Sequence, residues 1–75
     1  MKYSIIHILN VGKNTSITFR PKKSNIQIND LIVDSFGNKY EIIGVELSRK
    51  LSGDSVNNTS ILVKGVFKGK EFIFI

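Results

Sequence analysis

Apolar and polar residues alternate along much of this chain with the two-residue period that is typical of β-strands. In Thr15–Arg20, for example, Ile17 and Phe19 alternate with polar or charged side chains. A helix would need apolar residues about every three or four positions over several turns, and no window sustains that spacing. The pattern therefore predicts an all-β domain with no helix longer than about two turns. Leu47–Leu51 is the segment in which a short helix fits best.

Turn-forming residues divide the chain into strands. The predicted strands are Tyr3–Val11, Thr15–Arg20, Leu31–Asp34, one that begins at Lys39, Ser60–Phe67 and Phe72–Ile75. Gly12-Lys13-Asn14 and Ser35-Phe36-Gly37-Asn38 are typical of tight turns, and Pro21 ends the second strand because it has no backbone N–H. A chain of 75 residues is one domain, spanning residues 1–75. We expect a small, closed or nearly closed, antiparallel β-barrel of about six strands.

The first and fourth strands carry expectations about burial. Tyr3–Val11 has apolar residues on both faces and is expected to be buried on both. In the fourth strand, the two-residue period predicts that Tyr40 and Ile42 lie on one face and that Ile43, Val45 and Leu47 lie on the other.

The residues between strands predict the form of two connections. Phe67–Glu71 contains a glycine between two lysines and predicts a hairpin that joins the last two strands. Before the third strand, Ile26 and Ile28 precede an Asn-Asp turn, and both are expected to plug one end of the barrel.

Composition excludes several kinds of stabilisation. The chain has no cysteine and one histidine, so neither a disulfide nor a common zinc-finger ligand set is available. Hydrophobic residues make up 41% of the chain, enough for burial alone to hold a compact core. Ile5–Leu9 is too short an apolar run for a signal peptide or a membrane span. We expect a cytoplasmic protein without a membrane partner.

The charge balance points to anionic partners. The formal net charge is +5, and nearly all the basic residues are lysines, Arg20 and Arg49 being the arginines. A positive surface favours binding to nucleic acid. A lysine-rich, isoleucine-rich and asparagine-rich composition also arises from an AT-rich genome without any function, and composition leaves these two explanations open.

The residues needed for catalysis are sparse. The sequence offers one histidine, no cysteine and scattered carboxylates, with no glycine-rich loop that could hold phosphates. We therefore expect a protein that is not an enzyme, that binds no GTP and that needs no metal or cofactor.

Two runs of sequence resemble a known family. Gly44–Leu51, read as GVELSRKL, and Ile61–Val66, read as ILVKGV, resemble the signature of the second domain of elongation factor Tu and related translational GTPases. Upstream, Gly12–Thr15 and Ile26–Asp30 resemble two turns of that domain in the same order. The resemblance covers most of the chain and implies a translation-protein β-barrel as a stand-alone domain.

The resemblance also implies a site. In that family, residues equivalent to Glu46, Arg49 and Leu62 help to form the pocket for the terminal adenosine of tRNA. Asn10 and Ser16 stand where the family has apolar pocket residues. Around these positions, the basic side chains that would contact RNA phosphates are Lys13, Lys22, Lys23, Lys50 and Lys64.

The function expected from these observations is a non-catalytic binding module, with RNA or the ribosome as its partner. The alternative is a protein–protein interaction module that kept the barrel without RNA binding, and a third, weaker alternative is a small-molecule pocket. A lysine-lined face would favour RNA, whereas an exposed apolar patch would favour a protein.

Overall fold

The protein folds as a six-stranded barrel. Its computed structural model describes residues 2–21, 23, 25–46 and 58–75, and describes Glu46 by its backbone alone. The strands are β1 (Tyr3–Val11), β2 (Asn14–Arg20), β3 (Leu31–Asp34), β4 (Lys39–Glu46), β5 (Thr59–Val63) and β6 (Glu71–Phe74). Neighbouring strands are antiparallel, and they form a closed barrel in the order β1-β2-β5-β4-β3-β6.

The predicted all-β fold and the closed antiparallel barrel are therefore confirmed. The residues given above contain no helix, and consequently none that is long and apolar enough to cross a membrane. Leu47–Leu51, the predicted place for a short helix, lies outside the described residues.

Every strand contributes to one core. The buried hydrophobic residues are Tyr3, Ile17, Phe19, Ile32, Ile42, Ile61, Val63, Phe67 and Phe72. β2 shows most simply why the chain folds this way, since its apolar residues face inward and its polar residues Ser16 and Thr18 face outward. At one side of the core, four aromatic rings from β1, β2 and β6 lie with centroids between 5.0 and 6.1 Å apart, namely those of Tyr3, Phe19, Phe72 and Phe74.

A β-bulge corrects the expected faces of β4. Ile42 pairs with Val63 and Gly44 pairs with Leu62, so Ile43 is an extra residue without a partner in the β5 ladder. The bulge shifts the alternation by one residue. As a result Val45 packs against the core together with Ile42 and Tyr40, instead of lying on the opposite face from them.

The prediction that β1 is buried on both faces was wrong. Tyr3 is buried and Ile8 packs against the core, but Ile6, Leu9 and Val11 are exposed. An irregularity in the β1–β2 register at Ile6 separates the two halves of the strand. The apolar residues on the outer face are therefore surface residues of the barrel.

The predicted last strand pair was also wrong. β5 ends at Val63, and β5 and β6 are not neighbours in the barrel. Residues 64–70 instead cross one end of the barrel as irregular chain, with Gly65 at a φ of +90° and the side chain of Phe67 buried. Of the two residues predicted to plug one end of the barrel, Ile26 packs against the core as expected, whereas Ile28 is exposed.

The barrel closes through a short seam between its first and last strands. Tyr3 pairs with Phe72, Ser4 pairs with Glu71, and the backbone N–H of Ile5 donates to the carbonyl oxygen of Lys70 at 2.9 Å. Beyond that point β1 pairs with β2 alone among the described strands.

Candidate nucleic-acid interface

Three of the predicted pocket positions lie on neighbouring strands of the barrel. Leu62 on β5 lies opposite Ser16 on β2 and opposite Gly44 on β4, and Glu46 pairs through its backbone with Ser60. A Cβ atom on Gly44 would lie only 3.3 Å from the Cβ atom of Leu62, so the backbone of β4 passes close under that leucine. The register thus brings positions 16, 46 and 62 onto adjacent strands.

Arg49, Lys50 and Lys22 lie outside the described residues, and of Glu46 only the backbone is described. Their roles stay predictions. On β1, the exposed Leu9 pairs with Ser16, whereas Asn10 pairs with Thr15. The residue of β1 beside Ser16 is therefore the apolar Leu9.

The predicted lysines do not form one face. Lys23 lies near the start of β5, where its backbone N–H donates to Thr59 Oγ1 at 3.2 Å and its Nζ lies 5.0 Å from the centroid of the Phe74 ring. Lys64 directly follows the end of the same strand, and Lys13 lies in the β1–β2 turn at that end. The length of β5 therefore separates Lys23 from the other two lysines.

We call residues 64–70, which cross one end of the barrel, the crossing segment. It carries two further exposed lysines at the end of the barrel where Lys13 and Lys64 lie. We call this surface the basic end, and it consists of Lys13, Lys64, Lys68 and Lys70. The sequence alone did not single out Lys68 and Lys70, because they belonged to a predicted hairpin whose place in the barrel was unknown.

Hydrogen bonds hold the crossing segment against the β1–β2 hairpin. Thr15 is fully buried, and its Oγ1 donates to the carbonyl oxygen of Gly65 at 2.8 Å and accepts from the N–H of Phe67 at 3.0 Å. The N–H of Gly65 donates to Asn14 Oδ1 at 3.3 Å. The lysines of the basic end are thus carried on loops that are tied to each other.

The positive charge of the basic end is not neutralised within the described part of the chain. The ion pair found there joins Lys2 Nζ and Glu71 Oε1 at 3.4 Å, and it includes none of the four lysines. Asp34, the buried carboxylate near this end, has its hydrogen bonds satisfied by its own turn. Among the described residues, no carboxylate pairs with any of the four ammonium groups, which favours contact with an anionic partner.

An exposed aromatic ring accompanies these lysines. Phe36 is 80% exposed in the β3–β4 turn, which lies at the same end of the barrel. Asp34 Oδ1 accepts hydrogen bonds from the N–H of Phe36 at 2.8 Å and from that of Asn38 at 2.9 Å, and Gly37 has a φ of +87°. These bonds fix the backbone of the turn while the ring points to solvent.

Tyr40 connects this turn to the crossing segment. Its hydroxyl donates to Asp34 Oδ2 at 3.1 Å, and its ring centroid lies 4.8 Å from that of Phe67. Burial alone raises the pKa of Asp34, but the hydrogen bonds from Asn38, Phe36 and Tyr40 together outweigh it and lower the pKa. Burial, and then the bond to Asp34, raise the pKa of Tyr40. The turn thus contains a carboxylate held in its charged form.

A small-molecule site is not supported by the described residues. The cleft beside the seam has a volume of about 230 Å³ and is lined by Lys2, Val33, Asp34, Ser35, Glu71, Phe72 and Ile73. Ligand pockets usually measure roughly 300–1,000 Å³. The charged groups of the cleft are already paired or hydrogen-bonded, and no group of His, Asp and Glu suited to a metal ion occurs among the described residues.

Comparison of the chain with models of known protein families, with curated proteins and with solved structures gave no match. A small β-barrel is shared by many unrelated families. The function must therefore be argued from the surface chemistry of this chain.

Proposed function

We propose that this protein is a non-catalytic module that binds single-stranded RNA through its basic end. One observation carries the proposal: four exposed lysines, which have no carboxylate partner within the described part of the chain, lie at the same end of the barrel as the exposed ring of Phe36. Proteins that bind single strands combine positive charge along the backbone with aromatic rings on which bases stack.

The two parts of this surface have different roles. The lysine ammonium groups contact phosphates and release condensed counterions, so their contribution falls as salt rises. Phe36 offers one ring face to an unpaired base. The hydrogen bonds that Asp34 accepts from the N–H groups of Phe36 and Asn38 hold the β3–β4 turn in place before RNA binds. A pre-ordered turn loses less conformational entropy when it binds.

The resemblance to the translation-factor barrel agrees with RNA or the ribosome as the partner. The register that puts positions 16, 46 and 62 on neighbouring strands supports a second contact area, in which Glu46, Arg49 and Leu62 would receive an unpaired adenosine. In this proposal both areas bind RNA and neither catalyses a reaction of the RNA.

A second candidate function rests on a different surface. Val33 pairs with Ile73, and the N–H of Ile75 donates to the carbonyl oxygen of Leu31 at 3.0 Å, so four apolar residues adjoin on the outside of β3 and β6. Leu31, Ile73 and Ile75 are exposed. An apolar patch of this kind favours a protein partner, and it keeps the protein-interaction module as the alternative.

The test is a fluorescence anisotropy titration of labelled single-stranded RNA at two salt concentrations. Changing Lys68 and Lys70 together to Gln should weaken binding and reduce the salt dependence, because two phosphate contacts are lost. The matched control compares two single changes, because Arg20→Gln removes one charge from the opposite end of the barrel and Lys68→Gln removes one charge from the basic end. We expect a much smaller effect from Arg20→Gln than from Lys68→Gln.

Two results would contradict the proposal. Equal losses in Arg20→Gln and Lys68→Gln would mean that net charge, and not the basic end, determines binding. No binding by the wild-type protein at low salt would discard RNA as the partner and would favour the protein-interaction module.

A further inference from the structure

The cleft beside the seam adjoins both parts of the proposed RNA surface. Ser35 lines the cleft on the side of β3 and is followed in the chain by Phe36. Glu71 lines it on the side of β6 and is preceded by Lys70 of the basic end. Because Cα atoms of consecutive residues are about 3.8 Å apart, a strand that contacts both Phe36 and Lys70 passes beside the cleft.

The size and the walls of the cleft suit a single base. Val33 and Ile73, which belong to the apolar patch outside β3 and β6, pair with each other and offer an apolar surface to a planar ring. The volume of about 230 Å³ is too small to enclose a whole small-molecule ligand. A nucleobase is smaller, and it arrives on a strand that the lysines already hold, which raises its effective concentration at the cleft.

The rim of the cleft carries a donor and an acceptor next to each other. Lys2 Nζ lies 3.4 Å from Glu71 Oε1, and both side chains reach solvent. An exposed ion pair of this kind contributes little to stability, so a ligand can replace it at small cost. Asp34 also lines the cleft, but each of its carboxylate oxygens already accepts two hydrogen bonds. Glu71 is therefore the carboxylate that can receive a ligand.

We propose that this cleft reads a guanine base of the bound strand, an inference that rests on the proposed RNA binding. An ionised glutamate only accepts hydrogen bonds, and a lysine only donates them. The Watson–Crick edge of guanine presents the N1–H and N2–H donors side by side, with the O6 acceptor beside them. The two carboxylate oxygens of Glu71 accept from N1–H and N2–H, and Lys2 donates to O6.

The other bases fit this pair of groups less well. On the same edge, uracil has one N–H between two carbonyl acceptors, and adenine and cytosine each have one amino group beside an unprotonated ring nitrogen. Each of them leaves one oxygen of Glu71 without a donor. A carboxylate also repels phosphate, so Glu71 disfavours contact with the RNA backbone at this place and favours contact with a base.

Fluorescence anisotropy with short labelled oligouridines tests the preference. One strand contains uridine alone, and the others carry a single central guanine, adenine or cytosine. The strand with guanine should bind about tenfold more tightly than uridine alone, within the range that a bidentate base contact contributes. Inosine, which lacks the N2 amino group, should lose most of this gain because one of the two bonds to Glu71 is missing.

Glu71→Gln separates base reading from attraction to phosphate. The variant should bind oligouridine at least as tightly as the wild type, since one negative charge is gone, and it should lose the preference for guanine. Glu41→Gln is the matched control, because it removes the same charge from β4, where Glu41 pairs with Leu31, and it should keep the preference. Circular dichroism checks that both variants fold. An equal loss of affinity for all strands in Glu71→Gln would mean a structural role and would overturn the inference.

Chemical shift changes of backbone amides locate the base without any variant. When the guanine strand replaces oligouridine, the amides of Ser35, Glu71 and Ile73 should change most. Equal affinity for all strands, a preference for adenine or cytosine, or differences confined to residues 64–70 would overturn the guanine inference and leave the proposed RNA binding in place. No binding of any strand at low salt would overturn both proposals.

Discussion

Asp34 shows how a single side chain can organise a turn. It accepts hydrogen bonds from the backbone of Phe36 and Asn38, from the side chain of Asn38 and from the hydroxyl of Tyr40. These donors favour the charged carboxylate and lower its pKa against the opposing effect of burial. A carboxyl group whose pKa is lower in the folded than in the unfolded state stabilises the fold above its unfolded pKa.

We therefore expect the stability of the protein to fall as the pH drops below about 3.9, the ordinary pKa of Asp, toward the lower folded value. Asp34→Asn should be less stable than the wild type at neutral pH, and the difference should shrink in acid, where Asp34 becomes protonated. Urea unfolding at neutral and acidic pH measures this. Tyr40→Phe is the control, because it removes one donor and keeps the carboxylate, and it should lose less at neutral pH. A difference that is independent of pH would contradict the role of the charge.

Phe36 provides a second prediction for a single residue. Because the ring is 80% exposed, Phe36→Ala should change the free energy of unfolding by no more than about 0.5 kcal/mol. If the ring stacks on a base, the same variant should weaken RNA binding by roughly 1–3 kcal/mol, and Phe36→Trp should preserve binding. Paired measurements of stability and RNA affinity would separate the two effects. Equal RNA affinity of Phe36→Ala and the wild type would remove the ring from the interface.

At the scale of chain segments, the crossing segment is held in place by one buried threonine. Thr15 Oγ1 donates a hydrogen bond to the carbonyl oxygen of Gly65 and accepts one from the N–H of Phe67. A side chain of the same shape without the hydroxyl would leave these two backbone groups unpaired. Thr15→Val should therefore lower the free energy of unfolding by about 1–3 kcal/mol.

Thr18→Val is the matched control for this prediction. Thr18 lies on the same strand but faces outward, where its hydroxyl is 2.8 Å from that of Ser60 and water can replace the lost bond. We expect a change of less than about 1 kcal/mol in chemical denaturation. Similar losses in both variants would show that the crossing segment does not need the Thr15 hydroxyl.

The same elements show how far local pattern determines the fold. The alternation of β2, the bounds of β3 and the alternation of Phe72 and Phe74 in β6 were predictable, because each follows from which residues face the core. The bulge at Ile43 was not, because it depends on the register with β5. The crossing segment was missed because Phe67 continues the alternation of Ile61 and Val63 although the strand has ended.

The candidate site was less predictable than the fold. Lys13, Lys68 and Lys70 belong to turns that are recognisable in the sequence and Lys64 to a predicted strand, but which lysines share an end depends on the strand order. β5 lies between β2 and β4, which brings Lys64 to the turn with Lys13 and takes Lys23 to the opposite end. Phe36 had a local signal, because an aromatic residue inside a four-residue turn has no place in a core.

At the scale of the whole molecule, the two candidate binding surfaces lie in different regions of the barrel. The basic end carries four exposed lysines, and an apolar patch lies outside β3 and β6. Where residues of these two surfaces are far apart, the effects of their variants on stability should be nearly additive.

The short seam between β1 and β6 also sets an order of events in folding. It joins strands from opposite ends of the sequence, through the pairs Tyr3–Phe72 and Ser4–Glu71, whereas the β3–β4 hairpin needs only its own turn. Closing the longest loop has the largest entropic cost, so the seam should form after the rate-limiting barrier and open first. Stopped-flow kinetics should show that Phe72→Leu mainly accelerates unfolding, with a φ-value of about 0–0.3, whereas Asp34→Asn slows refolding, with a φ-value of about 0.5–0.8. The reverse pattern would mean that the two ends of the chain meet early, and that the closure of the barrel is itself the slow step.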